Sequence, residues 1–278
     1  MTAVRTDNPS KGAHPVPALP IPHLERVQVL LCDADGNLFP SEEPAFDASV
    51  QVTNAFLAEI GSDRRFTADE LRLASTGMNF RTTARRLAAD AGVPDVDVEP
   101  WVAEEKRAVS AHLARTLRPH SPTSAALAAF AEHLPLAAVS SSALARLSGC
   151  FTATGLDELI PADRRFSAED SLPTPTSKPD PAVYLHACGK LGIAPEAGLA
   201  VEDSLPGVQS AVAAGCPTVG NLLFVHEAER AERAAALTAA GALTIVSSWQ
   251  ELADLVLPAL ASRNDHPDGE LLTTGTAR

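Results

Sequence analysis

Apolar and polar positions follow two different rhythms along this chain. VQVLLCDADGN (27–37) is a short apolar run that ends in acids and a glycine, which predicts a buried strand delivering a polar loop. From Phe46 to about Leu117 the spacing turns helical. Phe46, Val50, Ala55/Phe56 and Ile60 recur on one face, and Gly61 follows as a stop. Thr67 with Glu70 three residues later forms a capping box for a second helix. FRTTARRLAADAG and the stretch 102–117 predict two more amphipathic helices. Beyond them, short apolar runs alternate with helical segments. A helix over 125–133 precedes a strand over 134–139 that ends at Ser140, Ser141 and Ser142, and a helix starts near Ala143. A polar, Pro-rich stretch (167–180) leads to a helix opened by Pro181, with Asp180 as its cap, and closed by Gly192. GLAVEDS (198–204) is a strand running into acids. PGVQSAVAAG is the next helix, CPTVG the next strand, and a last helix covers about 248–257.

Such alternation predicts an α/β domain whose parallel sheet is covered on both faces. The expected core comprises 24–41 and 119–260, with an all-helical insert at 42–118 after the first strand. An insert there lies over the carboxyl ends of the strands, where open α/β sheets bind ligands. Residues 1–23 read as a disordered, Pro-rich leader without the apolar centre of a signal peptide, and 261–278 as a loose tail.

Composition narrows the partners. With 22 basic and 35 acidic residues the net charge is −13, a poor general match for nucleic acid or an anionic membrane. No apolar run approaches the ~20 residues of a membrane span; 252–261 contains Asp254 and Pro258. Cys32, Cys150, Cys188 and Cys216 are far apart without a CxxC, which reads as reduced core residues in a cytoplasmic protein. The expected partner is a small molecule and the expected state a monomer.

Asp33 and Asp35, just past the first strand, could form an acidic turn. A calcium loop fails because Gly36 falls at the fourth position and Pro44 at the twelfth, where Gly at the sixth and Glu at the twelfth are needed. Three other strand ends or loops also finish in groups useful to a phosphate site: Ser140, Lys178, and the pair Glu202–Asp203. Each alone has an ordinary structural explanation as a cap, a solvated charge or a polar turn; four in order point to one site. The histidines show no HExxH spacing, and the serines no G-x-S-x-G. Arg81, Arg85 and Arg86 read as a solvated helix face, and Met78 and Phe80 as insert core.

LLCDADGNL, AAVSSS, TSKPDP and VEDSLPGVQSAVAAG together resemble the four motifs of the haloacid dehalogenase superfamily, near its phosphatases and its β-phosphoglucomutase-like branch with a helical cap. The resemblance spans about 27–225. It implies a three-layer Rossmann-like core, a Mg²⁺ cofactor and a small phosphorylated substrate, a sugar or polyol phosphate. By this resemblance Asp33 is the nucleophile and Asp35 the general acid/base, with Ser140, Ser141 and Lys178 holding phosphate. Glu202 and Asp203 would hold Mg²⁺ together with Asp33 and the backbone carbonyl of Asp35. An acid two residues after the nucleophile favours phosphate chemistry over dehalogenation, because a halide leaves without a proton. Asn37 and Pro40 depart from the family pattern, where Thr or Val and an acid are usual; Asn37 is expected to hydrogen-bond locally. Two alternatives stand beside the phosphatase: a phosphomutase, disfavoured by the lack of a His between His23 and His112, and a catalytically silent ligand- or partner-binding relative.

Overall fold

The computed structural model describes residues 21–75 and 78–264. The expected leader up to residue 20 and the tail from 265 lie outside the described residues. A single parallel sheet contains β1 (Val29–Cys32), β2 (Leu136–Ser140), β3 (Arg165–Ser167), β4 (Gly198–Glu202), β5 (Thr218–Asn221) and β6 (Thr244–Val246), in the order β3-β2-β1-β4-β5-β6. The helices are α1 (Glu42–Glu59), α2 (Ala68–Ala74), α3 (Phe80–Asp90), α4 (Glu99–Thr116), α5 (Ser121–Ala131), α6 (Leu144–Thr154), α7 (Ala182–Leu191), α8 (Leu205–Ala213), α9 (Glu227–Ala239) and α10 (Trp249–Asn264). No helix among the described residues is long and apolar enough to cross a membrane.

The apolar runs are continuous because the strands are buried on both faces. Leu30 and Cys32 pack on one side with Leu136, Val201 and Trp249, while Leu31 packs on the other with Val139, Ala200 and Tyr184. In the register, Cys32 lies opposite Ala138 of β2 and Val201 of β4. The next residue, Asp33, therefore emerges between the carboxyl ends of two neighbouring strands, where the strand order reverses.

Helices α1 to α4 form the insert around Phe56, Leu57, Leu71 and Leu87. Thr67 and Glu70 make the capping box of α2, and Asn79 caps α3 by accepting from Thr82 N. The insert packs into the main core at its ends, through Ala48 of α1, Val109 and Leu113 of α4, and Leu117.

Three elements go beyond the sequence reading. β3 and β6 are each three residues long, and β3 opens on Arg165, whose buried guanidinium bonds Ile160 O and stacks on the Phe151 ring. A polar, three-residue strand carries almost no alternation to read. In α9 only Leu237 is buried, so its sequence lacks an apolar stripe. The chain also departs from the expected ends. Ile21 packs into the main core, three residues before the expected start, and α10 continues through Pro258 to Asn264, beyond the expected 257 and into the expected tail.

Candidate active site

β1, β2 and β4 deliver their last residues to one spot. Asp33 is 7% exposed, Glu202 0% and Asp203 2%. Oxygens from all three lie within 4.8 Å of one another, in an arrangement that could hold a metal ion. Lys178, from the loop before α7, enters between them: its Nζ is 2.5 Å from Asp33 Oδ1, 2.6 Å from Glu202 Oε1 and 2.7 Å from the Val139 carbonyl. The Lys178 backbone N–H donates to Ser141 Oγ at 3.1 Å, which ties its loop to the end of β2. Ser140 Oγ is buried and accepts from Ser142 N at 3.0 Å.

The electrostatics are those of a crowded acidic site. Burial pushes the Asp33 carboxyl up to about 8, with Lys178 opposing and Glu202 reinforcing the shift. Asp203 is raised too, by burial and then by the Asp33 charge. Lys178 is raised: burial works against its charge, but Asp33 and Glu202 overcome that penalty. One lysine cannot neutralise three buried carboxylates. Glu202 Oε2 and Asp203 Oδ1 are buried acceptors without a hydrogen-bond partner among the described residues. Unpartnered buried oxygens are costly, and a hard divalent cation with oxygen ligands satisfies both. The donor set thus fits such a cation.

Asp35 has the opposite surroundings. Its carboxylate accepts from Ser41 Oγ (2.6 Å), Ser142 Oγ (2.6 Å) and Arg146 Nη2 (2.9 Å). Burial raises its pKa, but Arg146 and the two hydroxyls outweigh burial and hold it below the ordinary carboxylate range. The Asp35 side chain stays outside the three-acid group, so only its backbone carbonyl remains available for the metal role expected of it.

Backbone features make the space. Gly36 adopts φ +77° in the turn after Asp35, and a Cβ there would collide with the Asp203 carboxylate. Gly207, in the first turn of α8, leaves room for Glu202; a Cβ would occupy the position of its Oε2. Ser204 caps α8 by accepting from Gly207 N. Asn37 does more than bond locally. Fully buried, it donates to the carbonyls of Asp33 and Val201, accepts from Asn221 Nδ2, and offers its own carbonyl to Trp249 Nε1. One amide thus clamps the loop after β1 to the ends of β4 and β5. Pro40 is exposed.

Sequence reasoning missed Ser41, Ser142 and Arg146 around Asp35, and Tyr184, whose hydroxyl donates to Glu202 Oε1 at 2.5 Å. The run of three serines contained the only available signal: Ser142 lies in the loop just before α6, and Arg146 in the first turn of that helix. Of the insert arginines, Arg81 and Arg85 both pair with Glu99 and Arg86 bonds Ala74 O. Phe80 packs on the insert core, yet with Met78 it also lines a small pocket between the insert and Arg146 of α6.

A parallel α/β core with a helical cap inserted after its first strand, and acids gathered at its carboxyl edge, defines a capped hydrolase architecture. The chain belongs to the haloacid dehalogenase-like hydrolases: the family model matches residues 27–215. A solved haloacid dehalogenase-like protein of unknown function from Agrobacterium tumefaciens str. C58 is 26% identical with a TM-score of 0.65, covering 84% of this chain and 99% of that one. A family hydrolase from Deinococcus radiodurans R1, solved with bound phosphate and sodium, is 27% identical with a TM-score of 0.62, covering 84% and 97%. A phosphoglycolate phosphatase from Thiobacillus denitrificans (strain ATCC 25259 / T1) is 54% identical over 43 residues, which is 16% of this chain and 19% of that protein.

Proposed function

We propose that this protein is a Mg²⁺-dependent phosphatase that hydrolyses a small phosphorylated metabolite, a sugar or polyol phosphate, through a phosphorylated Asp33. The observation that carries this reading is the convergence of Asp33, Lys178, Glu202 and Asp203, with two orphaned carboxylate oxygens, at the carboxyl edge of the sheet. Mg²⁺ held by Asp33, Glu202, Asp203 and the Asp35 carbonyl would supply charge neutralisation for a phosphate dianion approaching an anionic nucleophile. The protein residues do the rest. Lys178 holds Asp33 in place and offers its charge to the phosphoryl oxygens, while Ser140 and Ser141 offer hydroxyls. An Asp33 oxygen forms a bond to phosphorus as the ester P–O bond breaks, and Asp35 gives the departing alkoxide its proton. Water then attacks phosphorus, Asp35 takes back a proton, and the Asp33–phosphate bond breaks to release inorganic phosphate. The donors around Asp35 favour its ionised form, which suits the second half, and the proton that it gives to the alkoxide in the first half is the one taken from the water that hydrolysed the previous intermediate. Four buried free thiols suit a reducing compartment.

The test is release of phosphate from p-nitrophenyl phosphate and from a panel of sugar and polyol phosphates, with Mg²⁺ and with chelator. Asp33→Asn should lower turnover by ~10³-fold or more while leaving the melting curve cooperative. Turnover retained in Asp33→Asn removes Asp33 as nucleophile. Isomer formation from glucose 1-phosphate in place of phosphate release would make the protein a mutase.

A further inference from the structure

Cys188 of α7 and Cys216, which leads into β5, lie side by side with their Sγ atoms 4.0 Å apart. Both thiols are free, and neither takes part in the chemistry above. They are buried but thinly covered. Each has a glycine as chain neighbour, Gly189 after Cys188 and Gly215 before Cys216, and both glycines are exposed. Gly189 stands inside α7 with open space where a Cβ would point, so packing does not demand it, although glycine costs a helix stability. The two thiols also differ. The hydrogen bond between them holds Cys188 below the ordinary thiol range against the effect of burial, and raises Cys216 together with burial. Burial raises Cys32 and Cys150. Of the four thiols, Cys188 is thus the one disposed to ionise, with a second thiol in contact.

We propose that Cys188 and Cys216 are a redox pair, which a hydroperoxide converts to an internal disulfide that loosens the hold on Glu202. The Cys188 thiolate attacks one peroxide oxygen and the O–O bond breaks. The departing alkoxide takes up the proton that Cys188 released, and Cys188 is left as a sulfenic acid. The Cys216 sulfur then attacks the Cys188 sulfur, the S–O bond breaks, and hydroxide leaves with the Cys216 proton as water. Two thiols have lost two electrons, and the hydroperoxide has become an alcohol and water. The sulfurs must close from 4.0 Å to about 2.05 Å, which draws α7 toward the root of β5. Tyr184 sits one turn before Cys188 on the same face of α7, in the same apolar cluster as both thiols, and its hydroxyl holds Glu202 Oε1. The ring closed by the disulfide also contains β4 with Glu202 at its end. The consequence for Glu202 rests on the metal-site reading given above; the formation of the disulfide does not.

The full chain, reduced and then freed of reductant, is treated with hydrogen peroxide, and the remaining thiols are capped under denaturing conditions before peptide mapping without reduction. The expected product joins residues 188 and 216 with the loss of two hydrogens, leaves Cys32 and Cys150 capped, and reverts with dithiothreitol. Calorimetric titration with Mg²⁺ should then give a dissociation constant about fivefold higher for the oxidised protein, short of the roughly 10–100-fold that follows when a supporting partner of a metal ligand is removed outright. Cys188→Ala should form no internal disulfide and should keep its Mg²⁺ affinity through the same treatment. Oxidation of Cys32 or Cys150 ahead of the pair, or a pair recovered as two capped thiols, overturns the proposal even if Cys188→Ala fails to fold. A mapped disulfide with unchanged Mg²⁺ affinity overturns the link to Glu202, and so does an equal loss of affinity in peroxide-treated Cys188→Ala. A reduced protein that binds no Mg²⁺ overturns the metal-site reading and that link with it, while the mapped disulfide stands.

Discussion

The carboxyl edge of the sheet and an exposed stretch of the cap both bring acids and cations together, yet in opposite media. At the sheet edge, Lys178 is 5% exposed between Asp33 and Glu202, whose side chains are 9% and 0% exposed. On the cap, Arg81 and Glu99 are about half exposed, and Arg85 reaches the same carboxylate at 3.5 Å. Both arrangements satisfy the same distance criterion. Only the first has taken its charges out of water, where removing one partner strands the others. The ion pairs of the cap are screened, and their loss returns each group to solvent. Distance alone therefore does not identify a working site; burial combined with incomplete neutralisation does.

The largest expected consequence falls on Lys178. Lys178→Met leaves Asp33 and Glu202 buried without their cation, a loss of about 3–5 kcal/mol for a broken buried pair. Thermal or urea unfolding should show it, with greater damage at pH 8 than at pH 5, because Asp33 takes up a proton at the lower pH. An equal loss at both pH values would mean that the lysine acts by packing rather than by charge.

Next comes the pH dependence of the metal-free protein. In the fold, Asp33 is raised to about 8 from its ordinary 3.8, and Asp203 is raised as well. Between these limits the unfolded chain has lost a proton that the folded chain keeps, so stability falls as pH rises through that window. The melting temperature in chelator should be lower at pH 8 than at pH 5. Millimolar Mg²⁺ should close the gap by replacing the protons as neutralising charge. Asp35 contributes with the opposite sign: its lowered pKa gives stability that is lost only as the solution falls below the ordinary carboxylate range. A metal-free protein that gains stability from pH 5 to pH 8 would contradict this account of the acidic group.

Much of this contrast was legible in the sequence, and the missing parts share a cause. Asp33, Lys178, Glu202 and Asp203 could be read because each follows an apolar run or opens a Pro-marked helix, so its position in the chain also marks its position at the sheet edge. The groups around them could not. Tyr184 lies inside α7 with apolar neighbours, and nothing local shows that its hydroxyl meets Glu202. Asn37 stood out as a departure, but its partners Val201 and Asn221 lie 164 and 184 residues away, so the clamp it forms exists only after folding. The fold class followed from alternation, whereas β3, β6 and α9 escaped because short strands and a helix with a single buried side chain carry little periodicity.

A smaller effect is expected at Tyr184. Its hydroxyl shares Glu202 Oε1 with Lys178, and Tyr184→Phe removes one hydrogen bond to a charged group while keeping the ring. The cost should be about 1.5–3 kcal/mol. Because Glu202 would be less firmly held, half-saturation by Mg²⁺ should move upward more than kcat falls. Unchanged metal titration would show that Lys178 alone fixes the carboxylate.

The smallest effect belongs to the cap, and it is the sharpest control on the comparison. Glu99→Gln removes the charge that both Arg81 and Arg85 pair with, so a single substitution breaks both ion pairs, just as Lys178→Met breaks both at the sheet edge. Glu99 is lowered chiefly by the Arg81 hydrogen bond, with burial opposing, yet it stands in solvent. Water and salt should replace what is lost. The melting temperature in 0.15 M salt should not move measurably, and kcat on p-nitrophenyl phosphate should stay at its wild-type value. A destabilisation approaching that of Lys178→Met would mean that the exposed cluster bears as much weight as the buried one, and that burial is not what separates the two.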